Sequence, residues 1–351
     1  MTGASPRSSG ASGVSERPSP DRPASLLITG GGGFVGGAFV RLLLAERPAW
    51  TLTVFDSLTG GPGARFLAGL EASHPGRLRF VRGRVTDPRD VKSLFTSAAF
   101  HAVVHFAARN PSGLEIESPL SFSQVNVLGT AMVLEEARKA WSGSGGTFLH
   151  LSSYEVYGEG AAERFTEASP LNPSTPYAAS KASADVLTLA YHSTFGIRTL
   201  VTRTTNIYGP RQSPDKLIPS VAERVRRGEP IPVYGSGGQS RDWIHVEDHN
   251  RGVLAVLEGG RPGAVYHLGA RCERTNLEVI RLAARAAAEC LGRDPREAEA
   301  RLDFVEDRSA HDFRRALDPG RAERELGFRP RVAFEEGVRD AVRWQIREGG
   351  E

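Results

Sequence analysis

The residues best placed to do chemistry are Tyr177-Ala178-Ala179-Ser180-Lys181. Residues four apart share one face of a helix, so this spacing sets a phenol beside an ammonium. A nearby positive charge favours the phenolate and lowers a phenol from its reference pKa of roughly 10. Such a pair can take the proton of an alcohol near neutral pH. The start of any amphipathic helix can carry the same two residue types, so the pair gains meaning from what precedes it. Upstream stand Ser152-Ser153-Tyr154-Glu155, with hydroxyls and a carboxylate, and before them Gly30-Gly31-Gly32-Gly33-Phe34-Val35-Gly36. The three segments come in the order that a nicotinamide redox enzyme needs.

The glycines follow the apolar run Leu26-Leu27-Ile28-Thr29 and open a stretch with helical spacing from Phe34 to Leu44. In that setting glycines let the backbone approach a pyrophosphate, and the helix N-terminus supplies N–H groups. Gly30, Gly33 and Gly36 carry the spacing G-x-x-G-x-x-G. Asp56 closes the next apolar run about 20 residues on, where a carboxylate accepts hydrogen bonds from adenosine ribose hydroxyls and disfavours a 2′-phosphate. A loop-capping aspartate looks the same by itself; with the glycine turn it points to NAD rather than NADP.

Elements able to position these groups alternate from Ser25 to about Thr205. Strands are expected at Leu26–Thr29, Thr51–Phe55, Arg79–Val81, Ala102–Phe106, Thr147–Leu151 and Arg198–Thr202, and long helices at Pro119–Ala140 and Tyr177–Phe195. The alternation predicts a Rossmann-type doubly wound α/β fold, a parallel sheet with helices on both faces. After Asn206, Pro and Gly clusters separate short elements, as at Gly209-Pro210 and Gly235-Ser236-Gly237-Gly238, before an Ala-rich helix over Leu277–Leu291 and a last helix over Phe334–Arg347. The expected organisation is a disordered tail over 1–24 and an NAD-binding domain over 25–205 joined by 241–258. A smaller, irregular α/β substrate lobe takes 206–240 and 259–347.

Composition narrows the class further. With 351 residues, 40% hydrophobic and 24% charged, the chain reads as soluble and globular. Its net charge is only +3 and its arginines are dispersed among acids, which argues against a nucleic-acid partner. Cys272 and Cys290 are too few for a disulfide framework or a thiolate metal site. His101, His105, His150 and His267 lie in apolar strand contexts and read as core histidines, so no metal is expected. The N-terminal residues contain no apolar run of signal-peptide length and no later run reaches a membrane span, so a cytoplasmic protein without a membrane partner is expected.

The motifs together resemble the extended short-chain dehydrogenase/reductases, and among them most closely the dTDP-glucose 4,6-dehydratases. The resemblance runs from about Leu26 to Trp344. It is carried by Ile28 to Gly36, His105-Phe106-Ala107-Ala108, Asn126 to Thr130, His150 to Gly158, Pro176 to Lys181, Asn206 to Pro219, Arg241-Asp242-Trp243 to His249, and Phe304 to Asp312. It implies an NAD-dependent lyase acting on a nucleotide sugar. Tyr177 would remove the C4 hydroxyl proton, Lys181 would hold the phenolate and the nicotinamide ribose, and Ser153 would share the hydrogen bond. Glu155 would take the C5 proton. It further implies Gly30, Gly33, Phe34, Val35, Gly36, Asp56 and Ala107 around the cofactor. Asn206, Lys216, Leu217, Arg241 and His311 would surround the nucleotide diphosphate. By the same resemblance, the helices over Pro119–Ala140 and Tyr177–Phe195 would pair in a homodimer.

Two departures bear on the chemistry. Tyr154 stands where the dehydratases carry an aspartic acid, and a phenol is a weaker general acid than a carboxylic acid unless its site retunes it. Three outcomes stay open: Tyr154 is the acid of a 4,6-dehydratase; elimination is lost and Glu155 epimerises C5; or the product is another ketone or alkene, as in a 5,6-dehydratase. At Arg109-Asn110-Pro111-Ser112 the family has a different pocket wall, and Arg109 would suit a substrate carboxylate, as in a UDP-glucuronate decarboxylase. From another class, a non-catalytic nucleotide sensor on the same fold would keep the turn but has no need of Ser153, Glu155, Tyr177 and Lys181 together.

Overall fold

The computed structural model describes residues 18–20, 22–58, 63–111, 118–159, 163–307 and 314–348. Strands and helices alternate first as β1 (Ala24–Thr29), α1 (Phe34–Glu46), β2 (Trp50–Asp56), α2 (Gly63–Ser73), β3 (Leu78–Arg82), α3 (Pro88–Ser97) and β4 (Ala102–His105). A continuous helical rod follows, made of α4 (Leu120–Phe122), a π-helical stretch Ser123–Gly129 and α5 (Thr130–Ala140). Next come β5 (Thr147–Ser153), a 3₁₀ turn Tyr154–Tyr157, α6 (Pro176–Phe195) and β6 (Arg198–Thr204). The remainder is β7 (Asn206–Tyr208), α7 (Leu217–Arg227), β8 (Ile231–Tyr234), β9 (Ser240–His245), α8 (Val246–Gly259) and β10 (Ala264–Leu268). It closes with β11 (Glu273–Thr275), α9 (Asn276–Cys290), α10 (Pro295–Glu299), β12 (Leu302–Val305), β13 (Arg314–Arg315), α11 (Gly320–Leu326) and α12 (Phe334–Glu348).

Seven strands form a parallel sheet in the order β10-β6-β5-β4-β1-β2-β3. Neighbouring residues on each inner strand serve opposite faces. Leu26, Ile28, Val104 and Leu149 enter one apolar cluster, while Leu27, Val103 and Phe148 enter another on the far side. Strands buried on both faces need such unbroken apolar runs, which is why the doubly wound class was legible. A second sheet has the order β11-β9-β13, with β7 pairing β9. A further core of α7, α9 and α12 side chains, among them Val221, Ala283 and Val338, packs below it.

The expected division of the chain needs correction at three places. β10 pairs with β6, Ala264 opposite Leu200, so 264–268 belong to the large sheet and not to the substrate lobe. Val265, Tyr266, His267 and Leu268 are buried there, and the Gly and Pro clusters around them hide this return of the chain. Residues 241–245 move the other way, because β9 pairs only with strands of the second sheet, and α8 alone carries the chain back onto α1. The helix expected over Pro119–Ala140 is interrupted by the π-helical turn. Of the expected tail, residues 1–17 and 21 lie outside the described residues, as do Ser112 and His311. The end of that tail belongs to the large domain, because Ala24 already opens β1 and the Ser19 and Arg22 carbonyls accept from Trp50 Nε1. Among the described residues no helix is long and apolar enough to cross a membrane.

Candidate active site

The strand order reverses between β1 and β4, and in open α/β sheets such a switch point leaves a crevice at the carboxyl ends of the strands. The glycine turn occupies that crevice. Gly30 has φ +72°, and a Cβ there would lie 2.6 Å from the Ala107 nitrogen at the end of β4. A Cβ on Gly36 would run into the Gly30 carbonyl oxygen. Gly33 caps α1 without a side-chain bond, so the N–H groups of the first turn, from Phe34 and Val35 onward, face out of the helix end. Asp56 accepts hydrogen bonds from the Gly32 and Leu58 nitrogens, each at 2.8 Å, and so ties the second strand to the turn. A cradle this bare, with α1 pointing into it, fits a pyrophosphate.

Helix α6 starts cleanly beside it. Thr175 accepts from the Ala178 nitrogen at 3.1 Å, Pro176 takes the first turn, and Gly196 ends the helix at φ +68°. Tyr177 and Lys181 are both buried. The Tyr177 hydroxyl donates to Asn110 Oδ1 at 3.3 Å. Lys181 Nζ donates to the Leu151 carbonyl at 2.5 Å. Burial lowers the Lys181 ammonium to about 8, with Asp185 on the next turn opposing the shift. Asp185 is in turn held by Arg203 Nε at 2.8 Å and faces His150 Nε2 at 3.5 Å.

Ser153 ends β5 and caps the 3₁₀ turn by accepting from the Glu155 nitrogen at 3.2 Å. The turn then aims two neighbouring side chains differently. Glu155 stays partly exposed and pairs with Arg315 at 3.3 Å. Tyr154 is buried, and its hydroxyl donates to Asn206 Oδ1 at 2.6 Å. Burial pushes the Tyr154 phenol up to about 12, while the Arg241 and Arg315 guanidiniums pull it down. Arg241 is buried on β9 and donates to the Ser240 carbonyl at 2.8 Å. Hence Ser153, Tyr154, Glu155, Asn206 and Arg241 meet at one end of the cleft.

Other expected positions are placed less fully. Lys216 caps the start of α7 just before Leu217, donates to the Pro111 carbonyl at 2.7 Å and pairs with Asp215 at 3.1 Å. The Arg109 backbone is clamped by Asn126, which accepts from its nitrogen at 2.7 Å and donates to its carbonyl at 3.1 Å. His105, His150 and His267 are buried core residues, and burial lowers His105 to about 3. His101, expected in the core, is exposed at the strand end and accepts from the Ser25 nitrogen at 3.0 Å. Asn110, Asn126 and Arg315 carry site contacts that sequence reasoning assigned to none of them. Asn126 left a signal as a polar residue inside an apolar helical pattern and Asn110 as part of the altered pocket wall, whereas Arg315 left none.

A family model described as GDP-mannose 4,6 dehydratase matches residues 27–341. A dTDP-glucose 4,6-dehydratase from Actinoplanes sp. is 41% identical over 324 residues, covering 91% of this chain and 97% of that protein. A crystal structure of a dTDP-glucose 4,6-dehydratase from Streptomyces venezuelae with NAD bound superposes with a TM-score of 0.84 at 41% identity, covering 93% of this chain and 98% of that one. A third relative, from Bacillus anthracis and also in complex with NAD, gives a TM-score of 0.81 at 33% identity, with 93% and 98% covered.

Proposed function

The chain belongs to the GDP-mannose 4,6 dehydratase family, and from that premise we propose that it is an NAD-dependent 4,6-dehydratase of dTDP-glucose. Bound NAD would supply the hydride chemistry, with C4 as donor and C6 as final acceptor. Gly30, Gly33, Phe34, Val35, Gly36, Asp56 and Ala107, on and beside the glycine turn, would hold the cofactor. Tyr177, as the phenolate that the Lys181 charge favours, removes the C4 hydroxyl proton, with Ser153 sharing that oxygen. Once C4 is a ketone, the C5 proton is acidic, because the electron pair left behind spreads onto oxygen. Glu155 takes it, and Tyr154 protonates the departing C6 oxygen. Arg241, Lys216, Asn206 and Leu217 would surround the diphosphate, and Arg109 would border the hexose.

The observation that carries this reading is Glu155, partly exposed on the turn that directly follows Ser153. Alcohol oxidation alone needs no second base, and elimination does. The test is mass analysis of products from dTDP-glucose, with Tyr177→Phe and Glu155→Gln beside the unaltered enzyme. Loss of water by the unaltered enzyme is expected. Tyr177→Phe should form no ketone while still binding NAD, and Glu155→Gln should oxidise C4 without exchanging C5 hydrogen with solvent. Unchanged substrate mass with C5 exchange would replace the reading by C5 epimerisation.

The partner is a second copy of this chain. Leu120, Leu128, Val186 and Phe195 are exposed apolar side chains on the rod and on α6, and Val186 lines a groove between these elements together with Val127, Ala182 and Leu187. Large apolar side chains gathered on one face fit a four-helix contact between copies. A cytoplasmic location fits a sugar-nucleotide substrate.

A further inference from the structure

We infer that Arg315 is a positioning residue for the elimination half of the reaction, holding Glu155 and Tyr154 in one constellation. The inference rests on the dehydratase reading above. Arg315 comes from β13, which runs parallel to β9 and sets Arg315 opposite Arg241. Its side chain is only 5% exposed, and one amino group pairs with Glu155 Oε2 at 3.3 Å. Its guanidinium carbon also lies 5.7 Å from the centroid of the Tyr154 ring. A charge this deep is costly unless it is paired, so the fold keeps it for a purpose that needs charge at that place.

The two groups it touches are those the elimination needs at one moment. Glu155 takes the proton from C5, the C5–H electron pair becomes the C5–C6 double bond, the C6–O bond breaks, and Tyr154 passes its proton to the departing oxygen. Water leaves and a phenolate remains, which regains a proton from solvent; as C6 is reduced, the proton on Glu155 returns to C5, and the proton collected earlier by Tyr177 goes to solvent. The phenolate forms in a buried site, where it is costly by itself. Arg315 and Arg241 both stabilise it, and burial alone would hold the phenol far from use. The Tyr154 proton is already directed at an oxygen acceptor, Asn206, on the cleft wall. Arg315 thereby does for a phenol what a carboxylic acid at this position would not require.

The test uses the full-length protein with NAD and dTDP-glucose, comparing Arg315→Met and Arg315→Lys with the unaltered enzyme. Three readouts are followed: reduced-nicotinamide absorbance in a single turnover, deuterium entry at C5, and water loss by mass. For Arg315→Met, the absorbance rise should keep its rate while water loss slows by about 100-fold, the lower end of what general acid–base catalysis contributes. KM should change little, and Arg315→Lys, which keeps the charge without the planar fork, should recover part of the loss. Water loss within about twofold of the unaltered enzyme in Arg315→Met would overturn the inference. So would an equal fall of oxidation and water loss in both variants, which marks a structural role. An unaltered enzyme that oxidises the sugar but releases no water overturns the dehydratase reading itself, and that arm is read first.

Discussion

In the proposed elimination Tyr154 would deliver a proton from a buried phenol held near 12, so its hydroxyl matters only if the neighbouring guanidiniums offset its burial. Tyr154→Phe should therefore leave C4 oxidation intact and slow water loss by about 100-fold or more; unchanged dehydration would assign the acid to another group. The oxidation half carries its own pH signature. A free lysine keeps its proton to about 10.4, whereas burial holds Lys181 at about 8. The folded value lies below the ordinary one, so the ammonium is present below pH 8 and is lost as the pH rises through it. The single-turnover oxidation rate should then fall above pH 8, and a rate that stays level to about pH 10 would contradict this. At this scale the sequence was informative wherever the partners are neighbours in the chain. Tyr177 and Lys181 declare themselves by spacing, and so does the glycine turn. Arg315 does not, because its partners Tyr154 and Glu155 lie on a distant strand end and nothing local marks an arginine next to Arg314.

Among the elements, the π-helical turn does more than interrupt a helix. It places Asn126, almost wholly buried, where it bonds both ends of the Arg109 peptide and donates to Ser180 Oγ at 2.9 Å on α6. The turn thus joins the loop that presents Asn110 to the helix that presents Tyr177. Asn126→Ala removes hydrogen bonds from buried groups and should cost about 1–3 kcal/mol in urea denaturation, with a raised KM for the sugar nucleotide. An unchanged midpoint would show that the clamp is dispensable. Alternating apolar runs predicted β1 to β6 and their helices, since each strand is buried on both faces. The π turn was not visible, because the chain stays helical through it and the same residue types suit both windings. β10 was missed for a different reason: four buried residues between Gly263 and Gly269 look like a loop until β6 supplies their hydrogen bonds.

Over the whole molecule, two features bind the parts together. Arg211, with φ +71°, lies 3.9 Å over the Phe66 ring of α2 and 5.9 Å from the Trp344 ring of α12, so one side chain fastens the dinucleotide side to the last helix. In the proposed homodimer, the exposed face with Leu128 and Val186 would join one copy to another. Val186→Glu, at a position 56% exposed, should leave the fold intact and convert a dimer to a monomer in sedimentation. A dimer that persists would move the contact elsewhere.

The chain leaves the large sheet after β6, visits the second sheet through β7 and β9, returns for α8 and β10, and departs again. Such interlacing means that neither half can be inherited alone. A descendant with a new sugar preference cannot acquire it by trading a contiguous block for a cousin's, since any single cut strands an edge or bares α1. Change at this scaffold must come instead by replacing individual side chains around an intact weave.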